Sequence, residues 1–202
     1  MELITGGHDT ELSKREAEYY NVVGTHRNNV VKAYEMLVKD PKSQIVIEGI
    51  PVYNYDTPSL EDAIKNHDMS KYSDAEFYAY RKWHNPTSHE KFLMETDDDY
   101  RLAAEAAYEE AWDHHKRNND HHPEWWCYDE NGNSIEPRDM TIEAILHMIC
   151  DWQSCDMTYG GNIHDWWTKN RGEKSKVMSE NTFRIVESIM EKIPSVDFKR
   201  KI

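Results

Sequence analysis

The sequence predicts an all-α fold, a helical bundle with one short β-hairpin or loop insertion between its first two helices, and three observations carry that expectation. Apolar residues recur at three- and four-residue spacing over several long segments. Only 8 Gly and 7 Pro occur in 202 residues, so helix-breaking positions are few. Residues favouring strands concentrate in one stretch, Gln44 to Tyr55. Hydrophobic residues make up 38% and charged residues 31%, the balance of a globular chain, and its length suffices for one domain with a sizeable core. No repeat, low-complexity tract or shift in composition marks a second domain, so residues 1–202 are expected to form one.

From Thr10 to about Asp40, Val22, Val23, Val30, Ala33, Tyr34 and Leu37 form an amphipathic helical stripe, and His26 lies on it. The Gln44 to Tyr55 segment, broken by Gly49 and Pro51, is expected as a hairpin or ordered loop that could act as a lid over a helix-borne cluster. Thr57-Pro58-Ser59 opens a second helix whose stripe of Leu60 and Ile64 continues to His67. Ser73 and Glu76 have the spacing of a capping box, opening a third helix that ends near Asn85-Pro86. Between Thr96 and Asn119, Ala104, Tyr108, Ala111 and His115 define another inward face. A helix from about Asp139 to Asp156 carries Ile142, Ile145, Ile149 and Trp152, with Asp151 beside that stripe. A last helix near Asn181 to Lys192 is expected at the edge.

The formal charge of −14, from 24 basic and 38 acidic residues, disfavours extended nucleic acid as a partner. Small phosphorylated substrates remain compatible, because bound cations reverse the local sign inside a pocket. Cys127, Cys150 and Cys155 form no CxxC pair and no even disulfide framework, which fits a reducing compartment, the cytoplasm. The first residues hold no basic segment followed by an apolar stretch, and no apolar run approaches the ~18 residues of a membrane span, so neither export nor membrane insertion is expected.

Five segments deliver His or Asp to what periodicity suggests is one interior: His26, His67-Asp68, His114-His115, His121-His122 and Asp151. Buried imidazoles and carboxylates must be paired, and several without matching basic residues are most simply satisfied by a divalent cation. Each also has a plainer reading, as a core histidine bonded to backbone or as the polar end of a helix. His147, four residues before Asp151, is equally a ligand, a partner of one, or a surface residue. His8-Asp9 and His164-Asp165 lack an apolar helical stripe and read as surface features, and the Trp125-Trp126, Trp152 and Trp166-Trp167 clusters as core packing.

The order His, His-Asp, further His, distant Asp resembles the HD-domain superfamily of metal-dependent phosphohydrolases, over roughly His26 to Asp151. Its most specific piece is Asn66-His67-Asp68-Met69-Ser70-Lys71, which looks like an HDxxK element. The His115 to Glu124 segment is similar to one in a little-characterised HD-like family common in bacterial and bacteriophage genomes. By this resemblance His26, His67, Asp68 and Asp151 would be the primary metal ligands, with Asp68 bridging if two metals bind, and His115 with His121 or His122 would hold the second. Lys71 would contact a phosphate oxygen, and Glu124 would protonate the leaving group. The implied cofactor is one or two divalent ions among Mn, Fe, Co, Ni, Zn and Mg, and the implied activity is hydrolysis of a nucleotide or other small phosphate ester by a metal-activated water. A homo-oligomer is compatible with this reading. The alternatives are an HD-type di-iron oxygenase that cleaves a carbon bond and a non-catalytic HD protein that binds a nucleotide. His121-His122-Pro123-Glu124-Trp125 also looks like the motif of pterin carbinolamine dehydratases, a metal-free family whose later motif residues have no match after Trp126.

Overall fold

The structure, a computed structural model, describes residues 6–199, with side chains from Thr10 onward. The first five residues and the His8-Asp9 side chains therefore lie outside the described part. Among the described residues there are eight α-helices and one two-stranded antiparallel sheet, so the chain is all-α with a small hairpin after the first helix. No helix among them is long and apolar enough to cross a membrane.

The helices are α1 (Gly6–Tyr34), α2 (Pro58–Lys65), α3 (Phe77–His84), α4 (Ser88–Thr96), α5 (Asp98–Asn118), α6 (Ile142–Tyr159), α7 (Ile163–Lys174) and α8 (Glu180–Met190). Strands β1 (Val46–Ile47) and β2 (Ile50–Pro51) pair with Ile47 opposite Ile50. Glu48 and Gly49 turn between them with positive φ, which Gly49 adopts without a steric penalty. Thr57, Thr87, Thr141 and Ser179 cap α2, α4, α6 and α8 by accepting a backbone N–H at the third residue beyond, satisfying donors that a helix start leaves open.

The chain divides into two compact units. The first comprises the chain as far as Gly24 with Asp68–Asn118, and the second comprises Thr25–His67 with the chain from Asn119 onward. In the first, α3 and α4 pack on α5. Its core is small and aromatic, with Tyr19, Val23, Phe77, Tyr80 and Ala111 buried and Tyr72, Tyr108 and Trp112 against them. Val22 is exposed, and Tyr19 takes its place in the inward stripe of α1.

The second unit has a much larger aliphatic core. At its heart is α6, buried continuously from Ala144 to Cys150, as expected of a helix that is apolar all round. Helix α8 does not lie at an edge: Ile185, Val186, Ile189 and Met190 are buried in the same core. The hairpin packs on α8, with Ile45, Ile47 and Val52 in the core, so its role here is structural packing. Trp167 is buried, and Trp126, Trp152 and Trp166 pack against this core.

Candidate metal centre

In the second unit, three separate elements bring ligand-type atoms together. Helix α1 supplies His26, the residues after α2 supply His67, and α6 supplies Asp151. His26 Nε2 lies 3.0 Å from His67 Nε2 and 3.0 Å from Asp151 Oδ1, and His67 Nε2 lies 3.5 Å from the same oxygen. The backbone is held as firmly as the rings. Arg27, next to His26, donates to the carbonyls of His67 at 2.8 Å and Lys65 at 2.6 Å, closing the C-terminal end of α2.

Proton accounting defines what this arrangement requires. Ser154 donates its hydroxyl proton to the Asp151 carbonyl at 2.7 Å, so toward His26 Nδ1, at 3.1 Å, its oxygen accepts. A neutral His26 therefore carries its proton on Nδ1 and turns a bare Nε2 lone pair toward the Asp151 oxygen. With both rings neutral, that contact sets lone pair against lone pair whatever His67 does. The arrangement needs either one more proton or a cation in the space the three atoms share.

The spacing suits a cation. Donors at about 2.1 Å from an ion sit about 3.0 Å apart when set at right angles and about 3.4 Å apart in a tetrahedron. Burial raises the Asp151 pKa, but hydrogen bonds from His26 and His67, when these rings carry the extra proton, outweigh it and hold the carboxyl well below its ordinary value, in the anionic form a metal binds. More imidazole surrounds the triad. His67, His121 and His147 are all buried and offer ligand-type atoms within 4.8 Å of one another. His67 Nδ1 meets His147 Nε2 at 2.9 Å, and the His121 ring lies 4.6 Å from that of His67 and 4.4 Å from that of His147. His122 is half-buried with its ring 4.4 Å from His121. Cys155 also lies within reach of His26 and Asp151. These buried groups could hold a metal ion.

The first unit assembles a different set. Asp68 has φ of 57° and ψ of 24°, a left-handed conformation that costs an L-residue on the order of 1 kcal/mol. Buried there, its carboxylate accepts from Lys71 Nζ at 2.6 Å and lies 3.2 Å from His115 Nε2. His115 Nδ1 lies 2.9 Å from Glu76 Oε2, to which Ser70 also donates, and Glu76 Oε1 lies 2.8 Å from the more exposed His114. Burial lowers the His115 pKa, but Asp68 and Glu76 outweigh it and raise it above its ordinary value. Burial raises that of Glu76, and His115 with His114 bring it below its own.

Of the residues expected to carry chemistry, His26, His67, His121, His122, Glu124 and Asp151 thus belong to the second unit, and Asp68, Lys71 and His115 to the first. Glu124 is paired with Lys174 at 3.5 Å. The capping box at Ser73 and Glu76 does not form: Glu76 is fully buried against the histidines, and Ser73 donates to the Ser70 carbonyl instead. Glu76 and Ser154 carry no metal-ligand signature and escaped the sequence reading. The helical count from Asp151 that gave His147, four residues before it, would have found Ser154 three residues after it.

The family model described as "Family of unknown function (DUF5662)" matches residues 15–192. No curated protein and no solved structure matches the chain.

Proposed function

Since the chain belongs to this family, whose description assigns no activity, we propose from its own residues that it is a metal-dependent phosphohydrolase of the HD type, acting on a nucleotide or another small phosphate ester. The observation that carries the reading is the meeting of His26, His67 and Asp151 atoms at 3.0–3.5 Å from three separate elements. The order of these residues along the chain, and the His67-Asp68-x-x-Lys71 element, supply the resemblance that turns a metal centre into a hydrolase.

In this reading His26, His67 and Asp151 bind the ion, and His121 and His147 close the imidazole cage beside them. A set dominated by nitrogen suits Mn, Fe, Co, Ni or Zn better than Mg, which prefers oxygen donors and keeps several waters. A bound divalent ion supplies Lewis acidity to a phosphoryl oxygen and to the attacking water. The protein's own work would be to bring these three donors together from three separate elements. Glu124 receives no proton-transfer role, because Lys174 engages its carboxylate. A net charge of −14 favours a compact substrate whose phosphate is met by the ion over a long polyanion.

The test is elemental analysis of protein purified without added metal, followed by a screen of nucleotides and simple phosphate esters with Mn or Ni supplied. Bound transition metal and metal-dependent phosphate release are expected. Iron with oxygen consumption and no phosphate release would move the reading to the oxygenase, and a metal-free protein that takes up none would sink it.

A further inference from the structure

Beyond its donors, a metal site depends on what holds each imidazole in the tautomer that points a lone pair at the ion. One residue does this for His26 in a way the geometry makes explicit. Ser154 is fully buried, and its hydroxyl has two neighbours, the Asp151 carbonyl at 2.7 Å and His26 Nδ1 at 3.1 Å. A hydroxyl has one proton, and here it goes to the carbonyl. Its oxygen is then an acceptor toward the ring, and the ring must donate from Nδ1.

The serine is itself fixed. Its own carbonyl accepts from the Thr158 hydroxyl at 2.8 Å, and Thr158 accepts from Asn29 Nδ2 at 3.0 Å, which ties the last turns of α6 to α1 three residues beyond His26. His147, Asp151 and Ser154 fall on one face of α6 at spacings of four and three. That face supplies the carboxylate, meets His67 Nδ1 and meets His26 Nδ1.

We infer that Ser154 is a positioning residue: by taking the Nδ1 proton of His26 it fixes the ring as the Nδ1–H tautomer and presents Nε2 to the ion shared with His67 and Asp151. The inference rests on the metal reading for its purpose, but the lock is a property of the metal-free protein and is measured there. Without it the ring is free to place its proton on Nε2 and donate to Asp151 Oδ1 at 3.0 Å, and the metal must then displace that proton. Outer partners of this kind typically change metal affinity 10- to 100-fold.

The experiment uses the full chain with its histidines labelled with ¹⁵N. At about pH 8.5, where an ordinary imidazole is neutral, a long-range ¹H–¹⁵N spectrum of the metal-free protein is expected to show His26 protonated on Nδ1, with or without a second proton on Nε2. A ring protonated on Nε2 alone, with Nδ1 bare, overturns the lock. In Ser154→Ala the Nε2–H form is expected to appear, and Co²⁺ titration is expected to show roughly 10- to 100-fold weaker binding with unchanged stoichiometry and helical circular dichroism. Unchanged affinity in a folded Ser154→Ala also overturns the inference. If the wild type takes up no Co²⁺, the metal reading falls by itself, and the wild-type tautomer spectrum still decides the lock.

Discussion

The first unit surrounds the carboxylates of Asp68 and Glu76 with the imidazole of His115 and the ammonium of Lys71, while the second gathers several imidazoles around the carboxylate of Asp151. In the first set the charges cancel internally, and the His115 nitrogens and the Lys71 ammonium all face carboxylate oxygens. In the second, donors are short: His26 spends its proton on Ser154, and lone pairs converge. Similar residue types thus form a charge-paired network in one place and, in the other, a cluster that could hold a cation. What separates them is the ratio of protons to lone pairs, which a residue count in the sequence does not reveal.

The sharpest way to break this contrast is to remove the central carboxylate from each set. Asp151→Ala is expected to abolish stoichiometric metal binding and, with it, any metal-dependent turnover, because the remaining neutral rings carry no formal charge to balance the ion. Glu76→Ala is expected to keep the metal and lose stability instead. It strips His115, His114 and Ser70 of their shared buried acceptor, and breaking a buried pair in this way costs about 3–5 kcal/mol. Metal content and urea unfolding on both variants give the answer. Loss of metal in a folded Glu76→Ala would overturn that expectation, and Asp68→Ala is the companion measurement.

Much of this was legible because periodicity and burial report the same physics. The 3.6-residue pattern located α1, α2, α5, α6 and α8, and it placed His26, His67, His115 and Asp151 on inward or adjoining faces because a helical face is a direct reading of spacing. Helices α4 and α7 were not found. Their inward sides are short or aromatic: α4 has no buried residue, and α7 buries only Ile163 and Trp167, so each relies on its cap, Thr87 or Asn162. Glu76 was misread because a capping box and a buried carboxylate share the Ser-x-x-Glu spelling, and three-dimensional proximity to His115 decides between them. The left-handed turn at Asp68 was out of reach, since no glycine announces it.

Two carboxylates, one in each unit, should also respond to acid with opposite sign. In the first, burial raises the Glu90 pKa, but Arg81 and the Thr87 backbone outweigh it and bring it to about 2, below the ordinary 4.5. A depressed carboxylate contributes stability that is complete above its unfolded value and is lost as pH falls toward the folded one, here between about pH 4.5 and 2, worth at most about 3 kcal/mol. In the second, burial and then Asp165 raise the Asp156 carboxyl to about 6. That is a penalty at neutral pH, relieved as pH falls from about 6 through the ordinary 3.8. Asp156→Asn is therefore expected to be more stable than wild type at pH 7, by on the order of 2 kcal/mol, and to lose that advantage by pH 4. Urea unfolding of Asp156→Asn and wild type from pH 7 to pH 4 measures this, and a difference that does not shrink with falling pH would contradict the raised carboxyl.

The smallest expected difference lies at the caps. Thr141 caps α6 by a single bond, from Ala144 N at 3.2 Å, and Thr141→Ala should cost about 1 kcal/mol, the usual loss of one satisfied N–H. Thr87 caps α4 with the same chemistry, but its partner is the Glu90 backbone, and the Glu90 side chain returns to the Thr87 N–H at 2.8 Å while also holding Arg81. Removing the Thr87 hydroxyl therefore loosens a carboxylate on which a nearly buried guanidinium depends, so Thr87→Ala should cost closer to 2 kcal/mol and narrow the acid loss carried by Glu90. Urea unfolding of the two variants at pH 7 and pH 3.5 measures both. Equal costs at pH 7 would mean that the Glu90–Arg81 pair stands without its cap, and that the first unit depends less on coupled charges than its small aromatic core implies.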